Sequence, residues 1–146
     1  MNQSIQTLAL VSFLIAGQAS AACINVPEAN LRKGPGTQHE KSWQVYKYMP
    51  LKQLEQAEDW VQVEDVDGDK HWVFGKLLSD KYQCAVVKVN KATVRSGPGI
   101  NFGKTPLGLV EKYYAFKIIG EDGDWWQVED EVDNQGWIHK KLLWAH

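Results

Sequence analysis

The chain is poor in reactive side chains: its 146 residues include two cysteines, two methionines and four histidines. Cys23 and Cys84 are far from a Cys-x-x-Cys spacing, and His39, His71, His139 and His146 form no metal-ligand motif. A thiol nucleophile needs a basic group to ionise it, and no Cys and His pair is placed to do so. No catalytic residue, metal site or cofactor is therefore expected. Clustered positive charge is also missing: the 16 basic and 18 acidic side chains give a net charge of −2. Without a basic patch, nucleic acid and anionic membrane surfaces are not expected partners. No apolar run approaches the ~20 residues that cross a bilayer, so no membrane span is expected, and no stretch keeps a helical period.

Residues 1–22 carry no charged side chain, and Leu8 to Gly17 form a short apolar run followed by the small-x-small pattern of Ala19, Ser20 and Ala21. Residues 1–22 thus read as a signal peptide, which implies export across the inner membrane and a periplasmic location. The competing reading is a buried N-terminal strand. Cleavage after Ala21 or Ala22 would leave Cys23 beside or at the new terminus and raises lipidation as an alternative. Ser20 stands where a lipidation motif has a large aliphatic residue, so lipidated Cys23 is the lesser reading.

What the chain does have is aromatics and a repeat. All seven tryptophans and five tyrosines lie after the leader. Leu31, Arg32, Lys33, Gly34, Pro35, Gly36 recurs 63 positions later as Val94, Arg95, Ser96, Gly97, Pro98, Gly99. Proline fixes φ and glycine tolerates conformations closed to other residues, so each is a strand running into a bend. Asp59, Trp60, Val61, Gln62, Val63, Glu64, Asp65 recurs as Asp124 to Asp130, now at an offset of 65, which also relates Trp72 to Trp137 and Leu77, Leu78 to Leu142, Leu143. One unit is built twice, with about two extra residues expected in the loop after the second Gly-Pro-Gly. Units of this size bury only ~60% of their unfolded surface, so contact between copies or a covalent staple would help both.

The order aliphatic-Arg-x-Gly-Pro-Gly, a β-run, Asp-Trp-x-x-Val, a polar turn, Gly-Trp-aliphatic and Leu-Leu resembles bacterial Src-homology-3-like (SH3-like) domains, over nearly all of the chain after residue 23. The resemblance implies an all-β protein: two small five-stranded barrels in tandem after the signal peptide, at residues 23–80 and 84–146. It implies a binding or targeting module, often for cell-wall material or for a partner of a catalytic domain, and no catalysis. His71 departs from the pattern where the second copy has Gly136, so a looser turn is expected before Trp72. Barrels of this kind bring their ends together, which with an oxidising compartment and a single even pair implies a Cys23–Cys84 disulfide. Two free thiols is the alternative.

Within the second copy, Tyr113 to Ile119 is expected as a continuous strand; in the first, Pro50 interrupts the matching run and points to an edge or strand start. Asp65, Asp67, Gly68, Asp69 hints at a calcium loop, but the glycine comes early and Lys76 holds the closing position, so a solvated turn is the preferred reading. Arg32 and Arg95 offer planar forks for a ligand carboxylate, or they serve their own domains; the structural role is preferred. Alternation puts Val61, Val63, Trp126 and Val128 on the core face and leaves Trp60 and Trp125 outside. Those two tryptophans are the expected centres of partial aromatic grooves, with Tyr46, Tyr48, Phe102, Tyr113 and Trp43 as walls, unless they pack on the neighbouring copy. The expected ligand is peptidoglycan or a cell-wall peptide or glycan; the alternative is a periplasmic protein on which the chain docks as an adaptor or inhibitor.

Overall fold

A computed structural model describes residues 20–145. The leader expected over residues 1–22 lies outside them except for its last three residues, of which Ala21 and Ala22 already belong to a strand. The first copy consists of β1 (Ala21–Ile24), β2 (Glu28–Arg32), β3 (Lys41–Tyr46), β4 (Pro50–Ala57), β5 (Trp60–Glu64), β6 (Lys70–Phe74) and β7 (Leu78–Ser79). The second repeats the plan as β8 (Cys84–Val87), β9 (Lys91–Arg95), β10 (Lys104–Glu111), β11 (Ala115–Asp122), β12 (Trp125–Glu129), β13 (Gln135–His139) and β14 (Leu143–Ala145). Their strand orders are β3-β2-β6-β5-β4-β1-β7 and β10-β9-β13-β12-β11-β8-β14, two separate all-β sheets with equivalent connections. Each has seven strands where the resemblance implies five, the surplus being short pieces such as the two-residue β7. Among the described residues the only helical turns are Gly75–Leu77 and Lys140–Leu142, at matching places.

Each sheet closes around its own core. Val61, Val63 and Val73 are buried in the first copy and Val128 and Ile138 in the second, as a period of two requires. Trp126, which replaces Val61, is too large for that position and sits half-buried at the rim, with Lys140 Nζ 5.3 Å from its ring centre. Pro50 opens β4, where its missing N–H is least costly.

Three expectations need correction. The two extra residues of the second copy are not in the loop after Gly-Pro-Gly but inside β10. In the first copy the ladder steps from Arg32↔Lys41 to Leu31↔Trp43, leaving Ser42 unpaired. In the second it steps from Arg95↔Lys104 to Thr93↔Leu109, a wider bulge that needs Gly108 at φ 64°. The strand expected from Tyr113 starts at Ala115, because Tyr113 has φ 75°, as has its counterpart Tyr48 at 73°. Finally, the turn before Trp72 is no looser than its equivalent. Asp65 N donates to Asp69 O at 2.9 Å and Asp130 N to Asn134 O at 3.0 Å. His71 differs from Gly136 inside the barrel, where a Cβ on Gly136 would come within 2.4 Å of Val94 Cγ1.

The copies are joined through their first strands. Cys23 of β1 and Cys84 of β8 form a disulfide with Cα atoms 6.1 Å apart, closing a sequence separation of 61. In the chain-entropy account such a loop contributes ~4 kcal/mol. All four residues of β8 are buried. Ala85 and Val87 face the second core, whereas Val86 belongs to the first, where Ala115 and Trp144 also pack.

Candidate functional site

Arginine at the end of β2 and of β9 positions the Gly-Pro-Gly loops. Arg32 Nη1 donates to His39 O and Arg95 Nη1 to Phe102 O, each at 2.9 Å, so both guanidinium groups hold their own loops closed. The ring at the far end of each loop lies on a glycine: a Cβ on Gly34 would meet the His39 ring at 2.5 Å and one on Gly97 the Phe102 ring at 2.4 Å. Glycine is required at both positions by this close approach.

In the first copy the closed loop forms one wall of a cleft of about 850 Å³. Pro35, Gly36 and Gln38 line one side, Glu58 and Asp59 the other, and Trp60, Phe74 and Leu77 supply apolar surface. Trp60 and Phe74 are register partners in the β5–β6 pair, with ring centres 5.8 Å apart. Arg32 and Glu28 place opposite charges along the same cleft. Size, apolar floor and a few polar groups at the edge are what a small-molecule or peptide site requires. Phe74 is the residue that sequence reasoning missed, and its signal was positional: counting back across the β5–β6 turn puts it opposite Trp60.

Trp125 holds the equivalent place in the second copy, but its register partner is His139, edge-on at 5.2 Å. Phe102 is 46% exposed and tied to the Gly97 loop.

The other expected walls are not beside Trp60. Trp43, Tyr46 and Tyr113 line a different cleft, at the boundary between the copies. Trp43 stands edge-on to Tyr113 at 5.1 Å, so Trp43, like Trp144, packs on the neighbouring copy. Tyr48 turns to the linker and meets Tyr82 at 5.7 Å. Burial, and after it the carboxylates of Glu129, Asp133, Glu131 and Asp130 in the second copy, raise the pKa of the Tyr48 hydroxyl.

Acidic turn residues point inward or across the boundary. Asp65 Oδ1 accepts the N–H groups of Asp67 and Asp69, and its Oδ2 accepts from His71 Nε2 at 2.8 Å. Asp67 accepts from Tyr113 Oη at 2.5 Å and pairs with Lys112 at 3.1 Å. The Tyr113 hydrogen bond, with that of Lys112, holds the Asp67 carboxyl below its ordinary value against partial desolvation.

Family models described as "Bacterial SH3 domain" match residues 25–80 and 90–143. The chain is 27% identical over 145 residues to a Bacillus subtilis (strain 168) protein named "Putative N-acetylmuramoyl-L-alanine amidase YrvJ", a match covering 90% of this chain and 27% of that one. Among solved structures it is similar to an NlpC/P60 family protein from Bacillus cereus ATCC 10987, at 14% identity and TM-score 0.40 over 87% of this chain and 56% of that one. It is also similar to NlpC1 from Trichomonas vaginalis, at 11% identity and TM-score 0.37 over 95% and 50% of the two chains.

Proposed function

Both halves of this chain belong to the bacterial SH3 domain family, and from that premise we propose that it is an exported, non-enzymatic module that binds cell-wall peptide or glycan in the Trp60 cleft. The cleft itself carries the reading. It offers the rings of Trp60 and Phe74 as a rigid apolar floor between the Gly-Pro-Gly loop and the β4–β5 turn, with Glu28, Glu58 and Asp59 available for polar groups and Arg32 holding the loop wall. Aromatic anchors in a pocket of this kind supply most of a binding energy. The Bacillus relative is named for an amidase of N-acetylmuramoyl-L-alanine, and this chain spans about a quarter of its length. That favours the shared stretch as a binding part of such enzymes. The composition of residues 1–22 supports a periplasmic location.

Sedimentation with purified cell-wall sacculi tests this. The protein is expected to pellet with sacculi, and Trp60→Ala to weaken pelleting about tenfold, the scale of one lost aromatic anchor. Absence of pelleting, with a single periplasmic protein recovered in a pull-down, overturns the reading in favour of an adaptor or inhibitor.

A further inference from the structure

The cleft at the boundary between the copies has a volume of about 480 Å³ and exists only because the two barrels are joined. Trp43, Tyr46 and Lys47 line it from the first copy and Glu111, Tyr113 and Glu131 from the second. The Cys23–Cys84 bridge and the Asp67 contacts to Lys112 and Tyr113 hold the two walls in place. A site with preformed walls loses little freedom when a ligand enters.

Aromatic surface here is open to solvent: Tyr46 is 53% and Tyr113 38% exposed. The positive groups nearby are already engaged. Lys112 pairs with Asp67 and lies over the Tyr113 ring at 4.9 Å, a cation–aromatic contact within the cleft itself. Lys47 lies over the Tyr48 ring at 5.3 Å, which leaves Tyr46 as the open ring. Asp130 is turned inward onto Asn134 and Tyr114. Glu111 and Glu131 are exposed and have no ion-pair partner among the described residues. The pKa of the Tyr48 hydroxyl is raised first by burial and then by carboxylates of the second copy, Glu131 among them.

We propose that this cleft is a binding site for a peptide presenting an ammonium group, which lies against the Tyr46 ring with Glu111 and Glu131 as its counter-charges. Aromatic faces attract a cation through their quadrupole, and carboxylates left unpaired at the rim add the complementary charge. A carboxylate or phosphate ligand meets repulsion at the same rim. The site is separate from the Trp60 cleft and does not rest on the cell-wall reading.

The test uses the oxidised, two-copy protein and two probes: acetyl-Gly-Lys-Gly-amide and the same peptide with its lysine Nε-acetylated. Binding is followed through the indole N–H signals of the tryptophans by NMR. The ammonium peptide is expected to shift the Trp43 signal saturably and to bind about tenfold more tightly than the acetylated one, equivalent to ~1.4 kcal/mol. Glu111→Gln with Glu131→Gln should bring the two affinities together at an unchanged thermal midpoint, and Tyr46→Ala should weaken the ammonium peptide alone. Trp60→Ala should leave the ratio as it is, whatever it does to sacculus binding. Equal affinities, shifts centred on Trp60, or no saturable shift at Trp43 would each overturn the proposal.

Discussion

Asp65 and Asp130 stand at the same place in the two copies, just after β5 and just after β12, and each is 3% exposed. Each accepts two backbone N–H groups of the following turn through Oδ1. They differ in what satisfies the other oxygen. In the first copy it is His71, whose second ring nitrogen meets Ser42 Oγ at 2.6 Å. In the second it is Tyr114 Oη at 2.8 Å together with Asn134 Nδ2. Tyr114 corresponds to Met49, Thr105 to Ser42 and Gly136 to His71. A buried carboxylate must be paired, but the partner can come from a strand, as His71 does, or from turns, as Tyr114 and Asn134 do, provided that neighbouring positions change together. What the duplication preserves is the satisfied turn, and the interiors around it have diverged as coupled sets.

The sharpest way to break this comparison is to exchange one member of a set. Gly136→His would place a ring where even a Cβ meets Val94 Cγ1 at 2.4 Å and Arg95 O at 3.0 Å, and is expected to cost ~3 kcal/mol in urea unfolding. The reverse change, His71→Gly, strips Asp65 Oδ2 of its donor and is expected to cost ~2 kcal/mol. If both exchanges are neutral, the interiors are interchangeable and the coupling is absent.

A pH titration sharpens the same contrast. Burial, then the hydrogen bond to Asp130, pushes the Tyr114 hydroxyl up to about 12. Its folded pKa lies above the unfolded value of ~10, so its contribution is complete below pH ~10 and is lost as pH rises toward 12. Tyr114→Phe is expected to cost ~1.5 kcal/mol at neutral pH and to flatten the alkaline fall in stability. An unchanged alkaline slope would remove Tyr114 from this role.

The smallest effect lies at a turn where the copies share a backbone but not a residue. Glu58 and Gly123 both have φ 55°. Glu58→Gly should raise the thermal midpoint slightly, by ~0.5 kcal/mol of stability, and Gly123→Ala should lower it by ~1 kcal/mol, since a Cβ there meets nothing within 4 Å and only the backbone objects. A loss with Glu58→Gly would mean that its side chain outweighs the conformational cost.

Much of the fold was legible because repeats and alternation are local signals. The offsets of 63 and 65 gave the duplication, and the valine spacing of β5 and β12 gave the core face. The change of offset was visible, but its position was not, because a bulge inside β10 is set by cross-strand register. The residues of the proposed groove were readable as aromatic and exposed, yet not as neighbours. Whether Trp43 and Tyr113 join Trp60 depends on how two barrels dock, which no spacing within one copy encodes. A hint existed in Cys84, Ala85, Val86 and Val87, four apolar residues in succession where a strand with one wet face would alternate.

That doubly covered strand limits how this molecule can be cut or recombined. Val86, Ala115 and Trp144 pack in the core of the copy that precedes them in the chain. A gene fragment ending before Cys84 would therefore encode a barrel with an apolar opening in its side, and a copy grafted from another protein would have to bring a matching plug. The two halves arose as repeats of one unit but are inherited as a single piece, so the domain boundary drawn by sequence similarity is not a boundary for engineering.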